Sequence, residues 1–190
     1  PFDFIYKSAI RYPSHFPTAF GTIHRYVKFE YDGVFEEILD QLGGDLRFVI
    51  SGAAAIDPEA LEGFKHFGIE AVQGYGMTES SPLIAANRVC IHRNESAGLP
   101  LPEFYVKIDN PDENGIGEIK VKGPNVMLGY YQNEEATKDA LQDGWFHTGD
   151  LAQIDEEGYI FIRGRKKSVI VLKNGKNIFP EEIENLVNKI

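Results

Sequence analysis

The chain has 190 residues, of which 43% are hydrophobic and 25% charged, a balance typical of an ordinary globular protein. Its formal net charge of -10 would repel nucleic-acid phosphates, which argues against a general nucleic-acid role. The single cysteine, Cys90, excludes an internal disulfide and fits a reducing compartment, and its apolar neighbours favour a buried structural thiol.

The first 31 residues are rich in aromatics but show no clear period, so the sequence assigns them no element. Residues 33–42 are predicted to form a helix. Asp32 can cap its start, and the pair Gly43-Gly44 can end it in a left-handed turn.

A strand–helix–strand unit follows over residues 46–73. Residues 46–50 are a short apolar strand, and residues 69–73 are a second one. Between them, Asp57-Pro58 predicts a helix start and Gly68 a helix stop. Such a crossover makes the two strands parallel, so the loops after them, residues 51–53 and 74–76, are expected to face one crevice.

An antiparallel β region is predicted from about residue 90 to 163. Residues 118–122 alternate polar and apolar side chains, as a half-buried strand does. Residues 159–163 and 168–172 are further strands, and Asn174-Gly175 supplies a hairpin turn. The expected fold class is therefore α/β: a parallel βαβ portion, an antiparallel β region and the start of a small α+β C-terminal domain.

The last residues predict an amphipathic helix with one apolar stripe, formed by Ile183, Leu186, Val187 and Ile190. Such a stripe needs a partner surface, so we expect the chain to be part of a larger protein. The expected domain limits are 1–89 for part of an α/β domain, 90–164 for a β-rich subdomain, and 165–190 for a hinge and the start of a C-terminal domain.

Three segments carry groups suited to nucleotide chemistry. Residues 73–80 combine two glycines with an aromatic face at Tyr75, a hydroxyl at Thr78 and a hard oxygen ligand at Glu79. Residues 143–150 place a carboxylate, Asp150, after a glycine turn, and residues 164–167 hold three consecutive cations. Taken singly, each segment is more typical of a structural turn or a solvated basic face than of a nucleotide site.

Taken together and in order, these strings resemble the adenylate-forming superfamily of acyl-CoA synthetases, peptide-synthetase adenylation domains and luciferases. The strings are Gly-Tyr-Gly-Met-Thr-Glu at 74–79, Gly-Trp-Phe-His-Thr-Gly-Asp at 144–150, Gly-Arg-Lys-Lys at 164–167 and Asn-Gly-Lys-Asn-Ile at 174–178. Residues 79–87 and 170–178 are most similar to bacterial long-chain fatty acyl-CoA ligases. The resemblance covers residues 46–190.

The resemblance implies a role for each matched position. Gly52, Ala53 and Ala54 would lie along the adenine, and Tyr75 would stack on it beside Gly74. Thr78 would bond the AMP phosphate, and Glu79 would hold Mg²⁺; both are the expected catalytic residues. Asp150 would accept hydrogen bonds from the ribose hydroxyls, and Arg165 would support the ribose and the phosphate. Lys167 would form the hinge, and Gly175 would line the coenzyme A tunnel.

The implied function is an ATP-dependent acid–thiol ligase that activates a fatty acid as acyl-AMP and transfers it to coenzyme A. The family's phosphate loop and its catalytic lysine are not found in these residues, so we expect little turnover by this chain alone. Aryl or amino acid adenylation and a non-catalytic AMP-binding module remain alternatives. The expected location is cytoplasmic, without nucleic-acid partners or a membrane span; peripheral membrane contact and a homo-oligomer stay open.

Overall fold

The structure, a computed structural model, describes residues 36–52, 56–173 and 177–187. Helix α1 spans Glu36–Gln41, and the chain leaves it through Gly43 and Gly44, whose φ angles are +90° and +75°. The Gly44 amide donates to the Leu39 carbonyl at 2.8 Å. The predicted glycine stop is confirmed, while the predicted start of this helix and residues 1–31 lie outside the described part of the chain.

The predicted parallel unit is confirmed. Strand β1 (Phe48–Ser51) pairs in parallel with β2 (Glu70–Gly76), joined by helix α2 (Pro58–His66). The Asp57 side chain accepts the Glu59 amide at 3.0 Å and caps α2, and Gly68 after the helix has φ of +73°. Local capping signals therefore define both ends of this helix.

One expectation is wrong: Gly74-Tyr75-Gly76 does not form a loop after β2 but continues it. These residues pair antiparallel with β3 (Leu83–Ala86), which in turn pairs with β4 (Leu99–Pro100). A Cβ at Gly76 would lie 1.9 Å from the Pro82 carbonyl oxygen, so glycine permits a close backbone approach here. A 3-10 turn at Thr78–Ser80 reverses the chain between the two strands.

The predicted antiparallel region forms a second sheet. Its strands are β5 (Tyr105–Asp109), β6 (Gly117–Lys122), β7 (Leu141–Gln142), β8 (Trp145–Ile154) and β9 (Ile160–Arg165). The order is β5-β6-β8-β7, with β9 also paired to β8, and helix α3 (Glu134–Ala140) precedes β7. The long central strand β8 therefore connects β6 to β9.

An apolar cluster connects the two sheets. It joins residues of β2 and β3 to residues of the antiparallel sheet, among them Tyr75, Ile84, Ile119, Phe146 and Ile160. The cluster therefore crosses the limit at 89/90 expected from the sequence. The three domain limits remain a prediction.

The C-terminal segment begins with a small hairpin of β10 (Ile170–Val171) and β11 (Asn177–Ile178), followed by helix α4 (Pro180–Val187). Ile183, Leu186 and Val187 are exposed, which agrees with the predicted apolar stripe; Ile190 lies outside the described residues. No helix in the described ranges is long and apolar enough to cross a bilayer.

Cys90 corrects a second expectation, because its side chain is exposed and not buried. Arg88 and Ile91 form a β-bridge, so Val89 and Cys90 make the turn between them. A residue at the tip of such a turn projects into solvent despite its apolar sequence neighbours.

Candidate nucleotide site

Asp150 is the centre of the site that the three sequence segments share. The residue is only 5% exposed. Oδ2 accepts the Tyr75 hydroxyl at 2.7 Å, and Oδ1 lies 2.9 Å from Arg165 Nε. The β8–β9 ladder places Asp150 directly opposite Arg165, and β2 brings Tyr75 from the other sheet. Three residues distant in sequence thus become one polar cluster.

Burial raises the pKa of the Asp150 carboxyl above its ordinary value. The Tyr75 hydroxyl and the Arg165 guanidinium oppose this rise in pKa, whereas the charges of Glu181 and Glu118 add to it. Burial, and then the Asp150 charge, raise the pKa of Tyr75, so its hydroxyl stays a hydrogen-bond donor. Tyr75 and Arg165 therefore hold a carboxylate charge in a place that disfavours it.

Two of the predicted glycines lie beside this cluster. Gly52 follows β1, and a Cβ there would meet the Gly74 carbonyl oxygen at 3.7 Å. Gly74 precedes Tyr75 in β2, and the Tyr75 ring is 9% exposed within the apolar cluster. Ala53 and Ala54 lie outside the described residues. The predicted adenine contacts of Gly52, Gly74 and Tyr75 stay predictions.

Thr78 and Glu79 occupy the 3-10 turn after β2, with Thr78 exposed and Glu79 half-buried. Glu79 Oε1 accepts the Tyr130 hydroxyl at 2.9 Å, and its carbonyl accepts the Met127 amide at 2.8 Å. Burial, helped by Glu79, raises the pKa of Tyr130, which keeps it a donor. Sequence reasoning missed Tyr130, since nothing in its neighbourhood distinguishes it from a surface tyrosine.

Glu79 fits a magnesium ion only as a partial ligand. No group of three or more His, Cys, Asp or Glu side chains that could hold a metal occurs within the described residues. Magnesium commonly takes one or two protein carboxylates and completes its shell with phosphate oxygens and water. A lone carboxylate is compatible with an ion that arrives together with a nucleotide.

The predicted hinge residue Lys167 is the second residue after β9 and is exposed. Gly175, the predicted coenzyme A contact, lies outside the described residues. Glu181 of α4 was not singled out by the sequence, yet its Oε1 accepts the Arg165 amide at 3.2 Å. Helix α4 thus contacts the backbone of a predicted nucleotide residue.

Glu118 is a second carboxylate that the sequence did not single out. The alternating pattern of residues 118–122 predicted a solvent-facing side chain, but Glu118 is 8% exposed. It accepts the Gly149 amide at 3.1 Å and pairs with Lys166 Nζ at 2.8 Å. The register of β6 against β8 shifts between Glu118 and Lys120 because β8 bulges there, and the bulged Gly149 and the Lys166 side chain cover Glu118.

A cavity of about 480 Å³ runs along α2 and is lined by none of the predicted site residues. Another cavity, of about 200 Å³, has Glu118 and Lys166 among its lining residues. The case for a nucleotide site therefore comes from the polar cluster at Asp150 and not from an enclosed pocket.

Comparison with known proteins gives consistent matches. A family model described as AMP-binding enzyme matches residues 3–131. A long-chain-fatty-acid–CoA ligase of Yersinia pestis is 40% identical over 149 residues, covering 75% of this chain and 26% of the relative. A 2-succinylbenzoate–CoA ligase of Bacillus licheniformis is 40% identical over 154 residues, covering 77% of this chain and 32% of the relative.

This chain is also similar in structure to solved coenzyme A ligases. O-succinylbenzoate coenzyme A synthetase of Bacillus subtilis, in complex with the acyl-adenylate intermediate OSB-AMP, superposes with a TM-score of 0.70 at 32% identity. That match covers 82% of this chain and 34% of the other. The same enzyme in complex with ATP and magnesium ion gives 0.67 at 35% identity, covering 74% and 31% of the two chains. The chain spans about a quarter of the length of the fatty-acid ligases it matches.

Proposed function

Because the chain belongs to the AMP-binding enzymes, the adenylate-forming acyl-CoA ligase superfamily, we propose that it supplies the ribose- and phosphate-binding part of an acid–CoA ligase. The observation that carries the proposal is the Tyr75–Asp150–Arg165 cluster. A buried carboxylate held ionised by two donors is suited to accept sugar hydroxyls.

Asp150 retains acceptor capacity for a ribose. An ionised carboxylate offers about four lone-pair sites, and Tyr75 and Arg165 occupy one on each oxygen. The Arg165 side chain is 64% exposed, so the cluster opens to solvent on that side. In this proposal the ribose hydroxyls approach beside Arg165 and donate to Asp150.

The remaining roles concern the phosphate. Thr78 donates its hydroxyl to the α-phosphate oxygens, and Arg165 neutralises charge that develops there. Glu79 would ligate a Mg²⁺ ion brought with ATP, and that ion would supply Lewis-acid stabilisation of the phosphates. Lys167 would act as the hinge and Gly175 would line the thiol path.

The proposed reaction has two displacements. The acid's carboxylate oxygen attacks the α-phosphorus of ATP, and pyrophosphate leaves with the electron pair of the broken P–O bond. The thiolate of coenzyme A then attacks the acyl carbon, and AMP leaves with its oxygen. Residues of this chain bind and orient the reactants, and none forms a covalent bond.

We propose a long-chain fatty acid as the acid, because the first curated relatives are named for that substrate. An aryl acid is the second candidate, favoured by the 2-succinylbenzoate–CoA ligase relative and by the matching solved structures. Titration with adenosine sulfamates carrying a hexadecanoyl or a succinylbenzoyl group tests the choice. The fatty-acid proposal expects the hexadecanoyl compound to bind at least tenfold more tightly, and the reverse order would replace it with an aryl acid.

Calorimetric titration with AMP and MgATP tests the nucleotide site. We expect Asp150→Ala to weaken AMP binding at least tenfold, because charge-assisted hydrogen bonds to ribose are lost. Asp109→Ala is the matched control, since it removes another ion-paired carboxylate of the same sheet, 2.8 Å from Lys120. Equal affinity in the parent and Asp150→Ala would reject the ribose role, and a parent without affinity would reject nucleotide binding by this chain.

A further inference from the structure

Gly149 is held by a closed ring of three polar contacts, which we call the Gly149 ring. Its amide donates to Glu118 Oε1 at 3.1 Å. Its carbonyl oxygen accepts the Lys166 amide at 2.8 Å. The ring closes where Lys166 Nζ donates to Glu118 Oε2 at 2.8 Å. Both backbone groups of Gly149 are therefore fixed by partners on β6 and just after β9.

The Gly149 ring lies where the regular pairing of β8 with β6 and β9 is interrupted. The register of β6 against β8 shifts between Glu118 and Lys120, and that of β9 against β8 shifts between Leu151 and Ala152. Gly149 itself has φ of +73°, a left-handed conformation inside a strand. At this point the hydrogen bonds of the ring take the place of the ladder hydrogen bonds that regular strand pairing would provide.

The Gly149 ring adjoins the candidate nucleotide cluster on both strands. Gly149 immediately precedes Asp150, and Lys166 immediately follows Arg165. Any shift of either ring member moves one end of the 2.9 Å Asp150–Arg165 pair. Glu118 thus acts on Asp150 through the adjacent Gly149 peptide, and on Arg165 through the side chain of Lys166.

Burial makes Glu118 the controlling member of the ring. Its side chain is 9% exposed, whereas that of Lys166 is 60% exposed. His147 Nδ1 also lies 3.8 Å from the Glu118 carboxylate. Removing the Glu118 carboxylate leaves the partly buried Gly149 amide without its partner, and a donor left unsatisfied away from water is costly. Removing Lys166 leaves Glu118 still bonded to Gly149.

We propose that Glu118 is a positioning residue of the nucleotide site, which holds Gly149 and thereby fixes Asp150 against Arg165. It acts on the nucleotide through these two residues and makes no contact with it. The inference rests on the proposed function, since it names what orders the same site.

The test compares Glu118→Ala, Glu118→Gln and Lys166→Met with the parent chain. AMP affinity is measured by calorimetry, and exchange of the Gly149 amide hydrogen is followed by NMR. Glu118→Ala loses both contacts of the carboxylate; we expect AMP affinity to fall about tenfold and Gly149 exchange to rise about tenfold. Glu118→Gln can still accept from the Gly149 amide, so it should keep most of the AMP affinity and most of the protection of that amide against exchange. Lys166→Met should lower AMP affinity about threefold.

Asp155→Asn is the control for stability. It removes the charge that pairs with Arg93 just after β8, and the partners of Asp155, which are Arg93, Glu157 and Tyr159, lie outside the Gly149 ring. It should leave AMP affinity and Gly149 exchange within twofold of the parent, whatever its effect on the melting temperature. A general loss of stability would act on this variant as well.

The outcomes separate the two proposals. A parent that binds AMP, with Glu118→Ala binding within twofold, overturns the positioning role and leaves the proposed function intact. If Glu118→Ala does not fold, unchanged AMP affinity in Glu118→Asp, whose shorter side chain draws the carboxylate away from the Gly149 amide, overturns it instead. A parent that does not bind AMP overturns the proposed function and the inference together.

Discussion

Asp150 is a carboxylate that the fold tolerates at a cost. Burial raises its pKa, and the nearby charges of Glu118 and Glu181 raise it further, against the hydrogen bond of Tyr75 and the charge of Arg165. A group whose pKa is higher in the folded state than in the unfolded chain stabilises the fold only while protonated. At neutral pH the ionised Asp150 therefore lowers the free energy of unfolding.

Asp150→Asn should accordingly be more stable than the parent at pH 7. Asparagine can still accept the Tyr75 hydroxyl, and Arg165 is exposed enough to stay hydrated. The advantage should shrink as the pH falls towards 3.8, the ordinary pKa of an aspartate, because the parent then becomes neutral too. Urea unfolding at several pH values measures this. A variant less stable than the parent at pH 7 would show that the Arg165 pair outweighs burial.

The sequence predicted some site residues and missed others for a physical reason. Asp150, Arg165 and Tyr75 stood in recognisable strings, and the structure brings these three together. Glu118 stood in an ordinary alternating strand, and it is buried because the bulge of β8 at Gly149 and the Lys166 side chain cover it, which no local pattern reveals. Contacts that depend on irregular pairing between strands distant in sequence cannot be predicted from the periodic pattern of polar and apolar residues.

At the scale of elements, prediction succeeded where the signals are local. Asp57 and Gly68 define α2 because a cap and a left-handed stop act within a few residues. The end of β2 was misplaced because glycine permits both turns and close strand contacts, and only the partner strand decides between them. Gly76 belongs to the second kind, with the Pro82 carbonyl against its Cα.

Gly76→Ala should therefore destabilise the chain by about 3 kcal/mol, since its methyl group would meet backbone that cannot move aside freely. Gly63→Ala is the matched control: it lies inside α2 with nothing within 4 Å of a Cβ, and should stabilise by about 0.5–1 kcal/mol. Urea denaturation measures both. Equal effects of the two substitutions would contradict the close β2–β3 contact.

At the scale of the whole molecule, the apolar cluster makes the two sheets depend on each other. Ile84 of β3 and Ile119 of β6 are both fully buried in it. The sequence predicted strands on both sides of residue 90 but could not show that they share a core. A periodic pattern shows which side chains of a strand are buried, but not which other sheet they pack against. Residues 70–165 should consequently unfold as one cooperative unit.

Ile119→Ala tests this cooperativity. The substitution leaves a cavity in the shared core and should lower the free energy of unfolding by about 2–5 kcal/mol. Amide hydrogen exchange should rise in β3 as well as in β8, since both strands contribute to the cluster. Faster exchange confined to β5–β9 would instead support separate units divided near residue 90.

The turn that exposes Cys90 makes this chain convenient for spectroscopy. Because the sequence contains a single cysteine, a maleimide dye or nitroxide would attach at one defined position without any substitution. The label would sit between Arg88 and Ile91, just beyond strand β3. The native chain thus carries its own attachment point for measuring distances to a fluorescent or paramagnetic nucleotide.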